Sequence, residues 1–137
     1  MTIPDDMRAH NRTVINEFRA NGGPGEGRPL LLLTTTGART GLARTTPMMY
    51  LRARRRLLVI ASNAGAPSHP DWYRNLVANP EVTVELGSET FPATAEVMEG
   101  KERERLWAEI TARYPFFITH QEQVDRIIPV VALKRRT

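Results

Sequence analysis

The 137-residue sequence predicts a mainly β protein with flanking helices, in which the strands form an antiparallel sheet or barrel. Several short apolar segments follow one another through turns with almost no helix between them, which argues against repeating βαβ units. A helical pattern precedes these segments, and further helical patterns interrupt them. The length suits one domain that buries its own core, so we expect a single domain over residues 1–137.

Composition narrows the functional classes. At 41% hydrophobic and 25% charged residues the chain has the balance of an ordinary globular protein, and it contains no cysteine, which excludes disulfides and thiolate chemistry. Residues 1–10 include acidic side chains and no apolar run, and no segment approaches the roughly 20 apolar residues of a membrane span. We therefore expect a cytoplasmic protein.

The net charge is +4, and every basic residue except Lys101 and Lys134 is arginine. Coding bias in a high-GC genome is one explanation of this excess of arginine. Selection for anion binding is a second, because a guanidinium can donate to two phosphate or carboxylate oxygens at once. The basic run at residues 52–56 lies between two apolar segments, so we interpret it as a solvated hairpin tip. Because no aromatic residue interrupts it, we expect no binding of nucleic acid.

The first element is a helix predicted over residues 4–20. Thr2 and Asp5 have the spacing of a capping box, and the segment Asn21–Gly27 is rich in helix breakers. Apolar residues with helical spacing predict the face that packs on the core: Met7, Val14, Ile15 and Phe18. The other side carries Arg8, Arg12 and Arg19. These arginines would suit a lipid headgroup surface, so peripheral membrane contact is one hypothesis, although we favour a solvated face.

The barrel is predicted over residues 28–134. Its strands are expected at Arg28–Thr35, Arg44–Ala53, Leu57–Ala61, Val82–Leu86, Thr90–Glu99 and Ile127–Lys134. A short helix is expected after Ser68, which could cap it together with Asp71, and Pro80 prevents its continuation. A second helix is expected over Lys101–Ala112.

The segment Thr34–Pro47, with the sequence TTTGARTGLARTTP, predicts a site for an anion. It continues from a run of leucines that suits a buried strand, and Gly37 and Gly41 allow a sharp turn with positive φ. Arg39 and Arg44 lie at or beside this turn, where guanidinium and backbone N–H groups could bind a phosphate or carboxylate. An ordinary glycine hairpin with arginines on a strand face is the alternative.

A second segment, Ala61–Pro80, predicts a surface for a flat ring. Its loop Ser62–Ala66 contains small side chains, which would let a ring approach the backbone closely. An ordinary connection between strand and helix is the alternative. We expect a local structural or surface role for His69, and a core position for Trp72 and Leu76 on one helix face.

The third segment, Tyr114–His120, is crowded with aromatic residues. Tyr114, Phe117 and His120 recur every three residues, so a helical turn that starts at Pro115 would align them on one face. They could line an aromatic pocket or form a hydrophobic plug over one end of the barrel. Both interpretations remain open at this point.

Several other chemistries lack their motifs. The sequence contains neither G-x-G-x-x-G nor the P-loop pattern, no G-x-S-x-G elbow, and no histidine paired with a carboxylate at metal-ligand spacing. We therefore expect no metal site. Any catalysis would take its reactive group from a cofactor.

Together these segments resemble the deazaflavin-dependent nitroreductase family, split β-barrel oxidoreductases that use coenzyme F420. The family pattern is TTTGRKSG followed by an arginine and a proline, then ASxGGAPxHPxWYxNLxANP, then a tyrosine-rich turn before an IPV strand. The chain has TTTGARTG with Arg44 and Pro47, ASNAGAPSHPDWYRNLVANP, YPFFITH, and IIPVVAL at Ile127–Leu133. The resemblance covers nearly the whole chain and implies a split β-barrel of the FMN-binding or pyridoxamine-phosphate-oxidase type.

The resemblance also implies the site residues. Those expected to contact the phosphate and acidic tail of the cofactor are Arg39, Thr40, Gly41 and Arg44. Those expected along the deazaflavin ring are Pro47, Met48, Ser62, Asn63 and Ala64. Trp72 and Asn75 would support this pocket from the helix, and Tyr114, Phe117 and His120 would lie on the substrate side.

Three residues depart from the family pattern. Phe117 and His120 replace tyrosines, so the resemblance leaves nitroimidazole reduction open. Ala38 replaces a frequent basic residue, which we expect to weaken one anion contact. The implied function is hydride transfer from reduced F420 to a quinone, an activated enone or a nitroaromatic, with Ser62 or Tyr114 as candidate hydrogen-bond or proton donors. The alternatives are an FMN-binding oxidoreductase and a non-catalytic F420 carrier. Split barrels often pair, so a homodimer is compatible with the sequence.

Overall fold

The structure, a computed structural model, describes residues 5–23 and 29–136. Its helices are α1 (Asp5–Asn21), α2 (Asp71–Ala78), α3 (Gly100–Arg113) and α4 (Phe116–Glu122). Its strands are β1 (Leu30–Thr36), β2 (Ala43–Ala53), β3 (Arg56–Ile60), β4 (Glu81–Leu86), β5 (Glu89–Val97) and β6 (Val130–Arg135). The expected capping contact from Thr2, and the side chains of Met7 and Arg8, lie outside the described residues.

The strands of the described residues close into an antiparallel barrel. Their order is β1, β2, β3, β6, β5 and β4, and β4 pairs with β1 to complete the closure. Each of these strands is therefore hydrogen-bonded on both sides. The predicted fold class, a split β-barrel with flanking helices, is confirmed.

Apolar side chains form two clusters, one on each side of the barrel wall. The first fills the interior, and its fully buried members include Leu31, Leu33, Val59, Val84 and Val131. The second lies between the outer surface and helices α3 and α4, and includes Leu51, Leu58, Leu106, Ile110, Phe117 and Val130. Because successive strand residues point to opposite faces, adjacent residues of β3 and β6 enter different clusters.

The basic run forms the tip of the hairpin between β2 and β3. Arg54 and Arg55 have φ values of 52° and 67°, as expected of a two-residue hairpin turn whose twist matches the strands. Both are exposed, as the sequence predicted for the tip. The tip is also attached to α3, because Arg54 pairs with Glu109 at 2.8 Å and Arg56 pairs with Glu102 at 2.7 Å.

The last strand begins three residues later than predicted. The segment before it uses its backbone groups elsewhere: the N–H of Ile128 donates to Oε1 of Gln121 at 2.9 Å, and the carbonyl of Ile128 accepts from Nη2 of Arg103 at 2.7 Å. Pro129 has no N–H to offer a neighbouring strand. The strand ladder therefore starts only at Val130.

Helix α1 lies against the barrel. Phe18 is buried, and the guanidinium of Arg19 donates two hydrogen bonds to the carboxylate of Glu85 on β4, at 3.0 Å and 2.9 Å. One of the arginines considered for membrane contact is thus engaged with the barrel, while Arg12 is exposed. No helix in the described part of the chain is both long and apolar enough to cross a bilayer.

Candidate functional site

The turn between β1 and β2 is closed by its own backbone. The N–H of Gly37 donates to the carbonyl of Leu42 at 2.8 Å, and the N–H of Gly41 donates to the carbonyl of Gly37 at 2.9 Å. Gly41 has a φ of +70°, which other residues adopt at a cost. A Cβ at Gly37 would lie 2.6 Å from Oγ1 of Thr40, so the turn also needs a glycine there.

Two arginines project from this turn and from the start of β2. Arg39 and Arg44 are exposed, as are Thr40 and Gly41 beside them. Among the residues that the structure describes, neither arginine has a carboxylate within 4.0 Å. Both guanidinium groups can therefore bind an external anion through paired N–H donors.

Asn75 on α2 holds the turn in place. Its Oδ1 accepts a hydrogen bond from the N–H of Ala38 at 3.0 Å, and its Nδ2 donates to Oγ1 of Thr35 at 3.2 Å. The helix thus supports the turn by hydrogen bonding as well as by packing. Trp72, one turn earlier, packs against the interior cluster together with buried Leu76, as the sequence predicted.

Pro47 and Met48 lie on opposite faces of β2. The side chain of Met48 packs against the interior cluster, whereas the outward neighbour Met49 packs against the cluster under α3 and α4. Pro47 shares the outward side because it is two residues from Met49. A ligand on the outer surface could contact Pro47 directly, but it would meet only the backbone of Met48. The contact of both residues with one ring therefore stays a prediction, in which Met48 would contribute its backbone.

The loop after β3 has an unusual backbone. Asn63, Ala64 and Gly65 have φ values of 51°, 54° and 79° and form one 3-10 turn. Asn63 and Ala64 are exposed, whereas Ser62 is only 8% exposed. Left-handed conformations at residues other than glycine are uncommon, and they cluster at functional sites. The loop therefore presents small side chains and backbone to solvent, while the side chain of Ser62 is mostly covered.

Helix α2 begins later than the sequence indicated. Pro70 occupies the N-cap position with a ψ of 153°, and no side chain caps the helix, so the predicted capping box of Ser68 and Asp71 is wrong. A proline disfavours helical geometry in the residue before it, which prevents the helix from starting at His69. The carbonyl of Ser68 instead accepts a hydrogen bond from Nδ2 of Asn63 at 3.0 Å.

Arg126, which the sequence did not single out, joins the loop to the segment before β6. Its guanidinium donates to the carbonyls of Ala61 at 3.1 Å and Ser62 at 2.8 Å, and twice to the carbonyl of Ala66 at 3.2 Å and 3.1 Å. A fifth contact joins Nη1 to Nδ1 of His69 at 3.1 Å. These five contacts match the five N–H groups of a guanidinium. Burial lowers the pKa of Arg126, but an arginine stays charged at neutral pH.

His69 is the side-chain acceptor of this arrangement. Its ring lies against Tyr73 with centroids 4.7 Å apart. Burial lowers the pKa of His69, and the positive charges of Arg126 and Arg74 lower it further. Because a guanidinium can only donate, Nδ1 of a neutral imidazole must accept. The predicted structural role of His69 agrees with this geometry.

The aromatic segment is divided between core and surface. Phe117 is 4% exposed and belongs to the cluster under α3 and α4. Its place on the substrate side stays a prediction. Tyr114 is half-buried beside it, with the two ring centroids 6.5 Å apart. His120 is also half-buried, and its Nδ1 is buried without a hydrogen-bond partner among the described residues.

Helix α4 lies directly against the loop after β3. A Cβ built at Gly65 would lie 3.5 Å from Cα of His120 and would overlap Oε1 of Gln123. The structure thus brings the second and third sequence segments together, and Asn75 connects α2 to the first. The open depression bounded by Pro80, Thr94, Glu96 and residues 134–136 contains none of the predicted site residues.

Sequence reasoning missed Arg126 for a physical reason. Its partners lie 57 to 65 residues away along the chain, so no local spacing reveals the contact. The available signal was a lone arginine immediately before an apolar strand, and solvent exposure explains such a residue equally well. Gln123 was missed in the same way, because its contact with Gly65 depends on how α4 packs.

Comparison with known proteins identifies relatives of this chain. A family model described as F420H(2)-dependent quinone reductase matches residues 6–135. An F420H(2)-dependent quinone reductase of Mycobacterium tuberculosis is 40% identical over 111 residues, which cover 79% of this chain and 74% of the relative.

Two solved structures are similar in sequence and fold. One, described as an F420-H2 dependent reductase, is 41% identical, covers 78% of this chain and 95% of its own, and has a TM-score of 0.70. The other, described as a domain-swapped dimer, is 36% identical, covers 95% of this chain and 98% of its own, and has a TM-score of 0.73.

Proposed function

Because this chain belongs to the F420H(2)-dependent quinone reductase family, we propose that it transfers a hydride from reduced coenzyme F420 to a quinone. The recognition of a deazaflavin-dependent oxidoreductase from the sequence is confirmed. The family description favours quinones among the acceptors that the sequence left open. Activated enones and nitroaromatics remain alternative acceptors to be tested beside them.

The residues present fit this cofactor. An acidic tail requires cationic donors that are not already paired, and Arg39 and Arg44 are exposed with no carboxylate nearby in the described part of the chain. A flat ring requires a surface without bulky side chains, and the exposed residues Asn63 and Ala64 provide one. The pair of arginines on a closed glycine turn is the observation that carries the assignment.

The bound deazaflavin supplies the hydride, and the protein supplies position and hydrogen bonds. Arg39 and Arg44 would hold the anionic part of the cofactor, while the loop Ser62–Ala64 and the outer surface at Pro47 would orient the ring. The hydroxyl of Tyr114 is a candidate donor to the oxygen on which negative charge develops in the acceptor. Ser62, which is mostly covered, is the weaker candidate of the two.

His120 is a further candidate for contact with the acceptor. Its Nδ1 is buried but has no hydrogen-bond partner among the described residues, which is costly unless a ligand or water completes it. The same side chain belongs to the helix that covers the loop at Gly65. A quinone oxygen would reach Nδ1 only if the side chains that cover it move, and it would then accept a hydrogen bond if Nδ1 carries the proton.

A titration of the purified protein with F420 tests the proposal. We expect Arg39→Ala and Arg44→Ala each to weaken binding about tenfold, because each loses a charge-assisted hydrogen bond at an exposed position. Arg55→Ala is the matched control, since it removes an equal charge at the other end of β2. FMN is titrated in parallel.

Equal affinity of all four proteins for F420 would contradict the assignment of the two arginines. Tighter binding of FMN than of F420 would favour the flavin alternative. Tight binding of F420 without reduction of quinones, enones or nitro compounds would favour a carrier.

The oligomeric state of the protein and its location in the cell are further proposals. One similar structure is described as a domain-swapped dimer, and we propose that this chain also forms a homodimer, which light scattering tests. A cytoplasmic location stays a prediction, as does peripheral membrane contact through α1. Sedimentation with anionic vesicles tests the membrane contact.

A further inference from the structure

We propose that Arg126 is the positioning residue of the cofactor loop: its guanidinium holds the segment Ala61–Ala66 in the conformation that receives the deazaflavin ring before the cofactor binds. The inference rests on the proposed function, since it assigns a purpose to a loop placed at the F420 ring. It concerns a residue that does not itself touch the substrate.

The side chain of Arg126 makes an unusually complete set of contacts. All five N–H groups of Arg126 are used, four by backbone carbonyls of the loop and one by His69. A surface arginine that merely solubilises the chain would leave most of these donors to water. The guanidinium instead replaces water around three carbonyls of one short loop.

Arg126 also sets the direction of the peptide planes in the loop. In a trans peptide the C=O and the following N–H point in opposite directions. Because the carbonyls of Ala61 and Ser62 face Arg126, the N–H groups of Ser62 and Asn63 point away from it. Arg126 thus fixes which side of the loop shows donors and which side shows acceptors.

The backbone of the same loop is strained. Asn63 and Ala64 adopt left-handed conformations with positive φ, and such residues persist only where their surroundings hold them. Arg126 binds the carbonyls on both sides of these two residues, at Ser62 and at Ala66. The side chain of Asn63 adds one local bond to the carbonyl of Ser68. Without the guanidinium we expect the loop to populate other conformations.

A loop that is fixed in advance binds more tightly than one that is ordered by its ligand. The apparent dissociation constant rises as the fraction of molecules in the competent conformation falls. We expect Arg126→Ala to weaken F420 binding about tenfold or more. Arg126→Lys should recover only part of this loss, because one ammonium cannot serve three carbonyls and an imidazole at once.

The experiment compares Arg126→Ala, Arg126→Lys and His69→Phe with the wild type. Arg113→Ala is the matched control, because Arg113 also donates to a backbone carbonyl, that of Arg52 at 2.6 Å, but far from the loop. Amide hydrogen exchange of residues 61–67 is measured without cofactor, and F420 affinity is measured by titration. Millimolar guanidinium chloride is then added to the Ala variants, with sodium chloride as the salt control.

The proposal expects faster exchange in residues 61–67 and weaker F420 binding for Arg126→Ala. Both should be partly restored by guanidinium ion, while Arg113→Ala shows neither change. His69→Phe, which removes one of the four acceptors, should weaken binding by about twofold in the same direction. Because this variant keeps a ring beside Tyr73, it still tests the proposal if Arg126→Ala fails to fold.

Unchanged exchange and unchanged affinity in folded Arg126 variants would overturn the proposal. So would a His69→Phe protein that binds as tightly as the wild type when Arg126→Ala cannot be folded. Failure of the proposed function has a different signature: the wild type would not bind F420 at all. The exchange comparison would then still decide whether Arg126 holds the loop.

Discussion

Asn75 shows how a single side chain can serve two parts of a site. Its carboxamide extends from α2 and makes two hydrogen bonds. It donates to the hydroxyl of Thr35 at the end of β1, and it accepts from the N–H of Ala38 in the turn. Thr35 is only 1% exposed, so its hydroxyl cannot easily find a water molecule as a substitute partner. The turn that carries Arg39 and Arg44 therefore depends on a residue of another element.

We expect Asn75→Ala to lower the free energy of unfolding by about 1–2 kcal/mol, because it leaves the buried hydroxyl of Thr35 without this donor. Urea unfolding followed by circular dichroism measures the change. Asn79→Ala is the control, since Asn79 follows on the same helix and makes one longer contact, 3.4 Å from Nδ2 to the carbonyl of Thr36. An equal loss in both variants would contradict this account of Asn75.

At the scale of elements, the loop after β3 and helix α4 share a close contact. Gly65 has a φ of +79° and lies against His120 and Gln123. A side chain at this position meets two difficulties, a disfavoured backbone conformation and a neighbouring helix. Glycine at this position allows both the turn of the loop and the approach of α4.

We expect Gly65→Ala to destabilise the protein by about 2 kcal/mol, from backbone strain together with overlap at Gln123. Gly100→Ala separates the two causes, because Gly100 also has a positive φ, +60°, but no atom lies within 4 Å of its Cβ position. Its expected loss is about 1 kcal/mol. Thermal and urea unfolding of both variants measure the difference, and a Gly65→Ala loss no larger than that of Gly100→Ala would rule out the packing part.

The sequence predicted elements better than their ends and their partners. Alternation of apolar residues and the spacing of turns placed all the strands of the described barrel, because these patterns follow from which face is buried. The start of α2 was wrong because a proline outweighed a favourable cap residue. The start of β6 was wrong because side chains of α3 and α4 take its first backbone groups. In both cases one local preference or contact outweighs another, and the spacing of apolar residues does not show which one prevails.

At the scale of the whole molecule, some arginines of the described residues form ion pairs and others are free to bind an external anion. Many arginines are already paired with carboxylates in the described structure: Arg19, Arg54, Arg56, Arg74, Arg103, Arg135 and Arg136. Arg39 and Arg44 have no such partner in that same set. Part of the net charge of +4 therefore lies at the turn that carries Arg39 and Arg44, where no ion pair of the described structure offsets it.

We expect F420 affinity to fall about tenfold between about 0.1 M and about 1 M sodium chloride, because salt shortens the range of interaction between exposed charges from about 10 Å to about 3 Å. Fluorescence titration at several salt concentrations measures this. The double variant Arg39→Gln with Arg44→Gln should lose most of the salt dependence, whereas Arg55→Gln should keep it. Affinity that does not change with salt would show that charge contributes little to binding.

The sequence could suggest those parts of the candidate site whose chemistry is local, but not those assembled from distant parts. Glycines and arginines within one turn predicted an anion site, with an ordinary glycine hairpin as the alternative, and the family resemblance added the ring and the acceptor side. The sequence did not show that Phe117 belongs to the core or that Met48 faces the barrel interior. Those facts depend on how α4 and β2 pack against the two clusters.

The contact between Gly65 and α4 also bears on how such a protein changes over generations. Substitutions that adapt α4 to another acceptor would press on the loop that we propose receives the cofactor, because Gln123 and His120 lie against Gly65. The effect of a change on one side therefore depends on the residue present on the other, which geneticists call epistasis. We expect acceptor preference to evolve through paired substitutions across this contact.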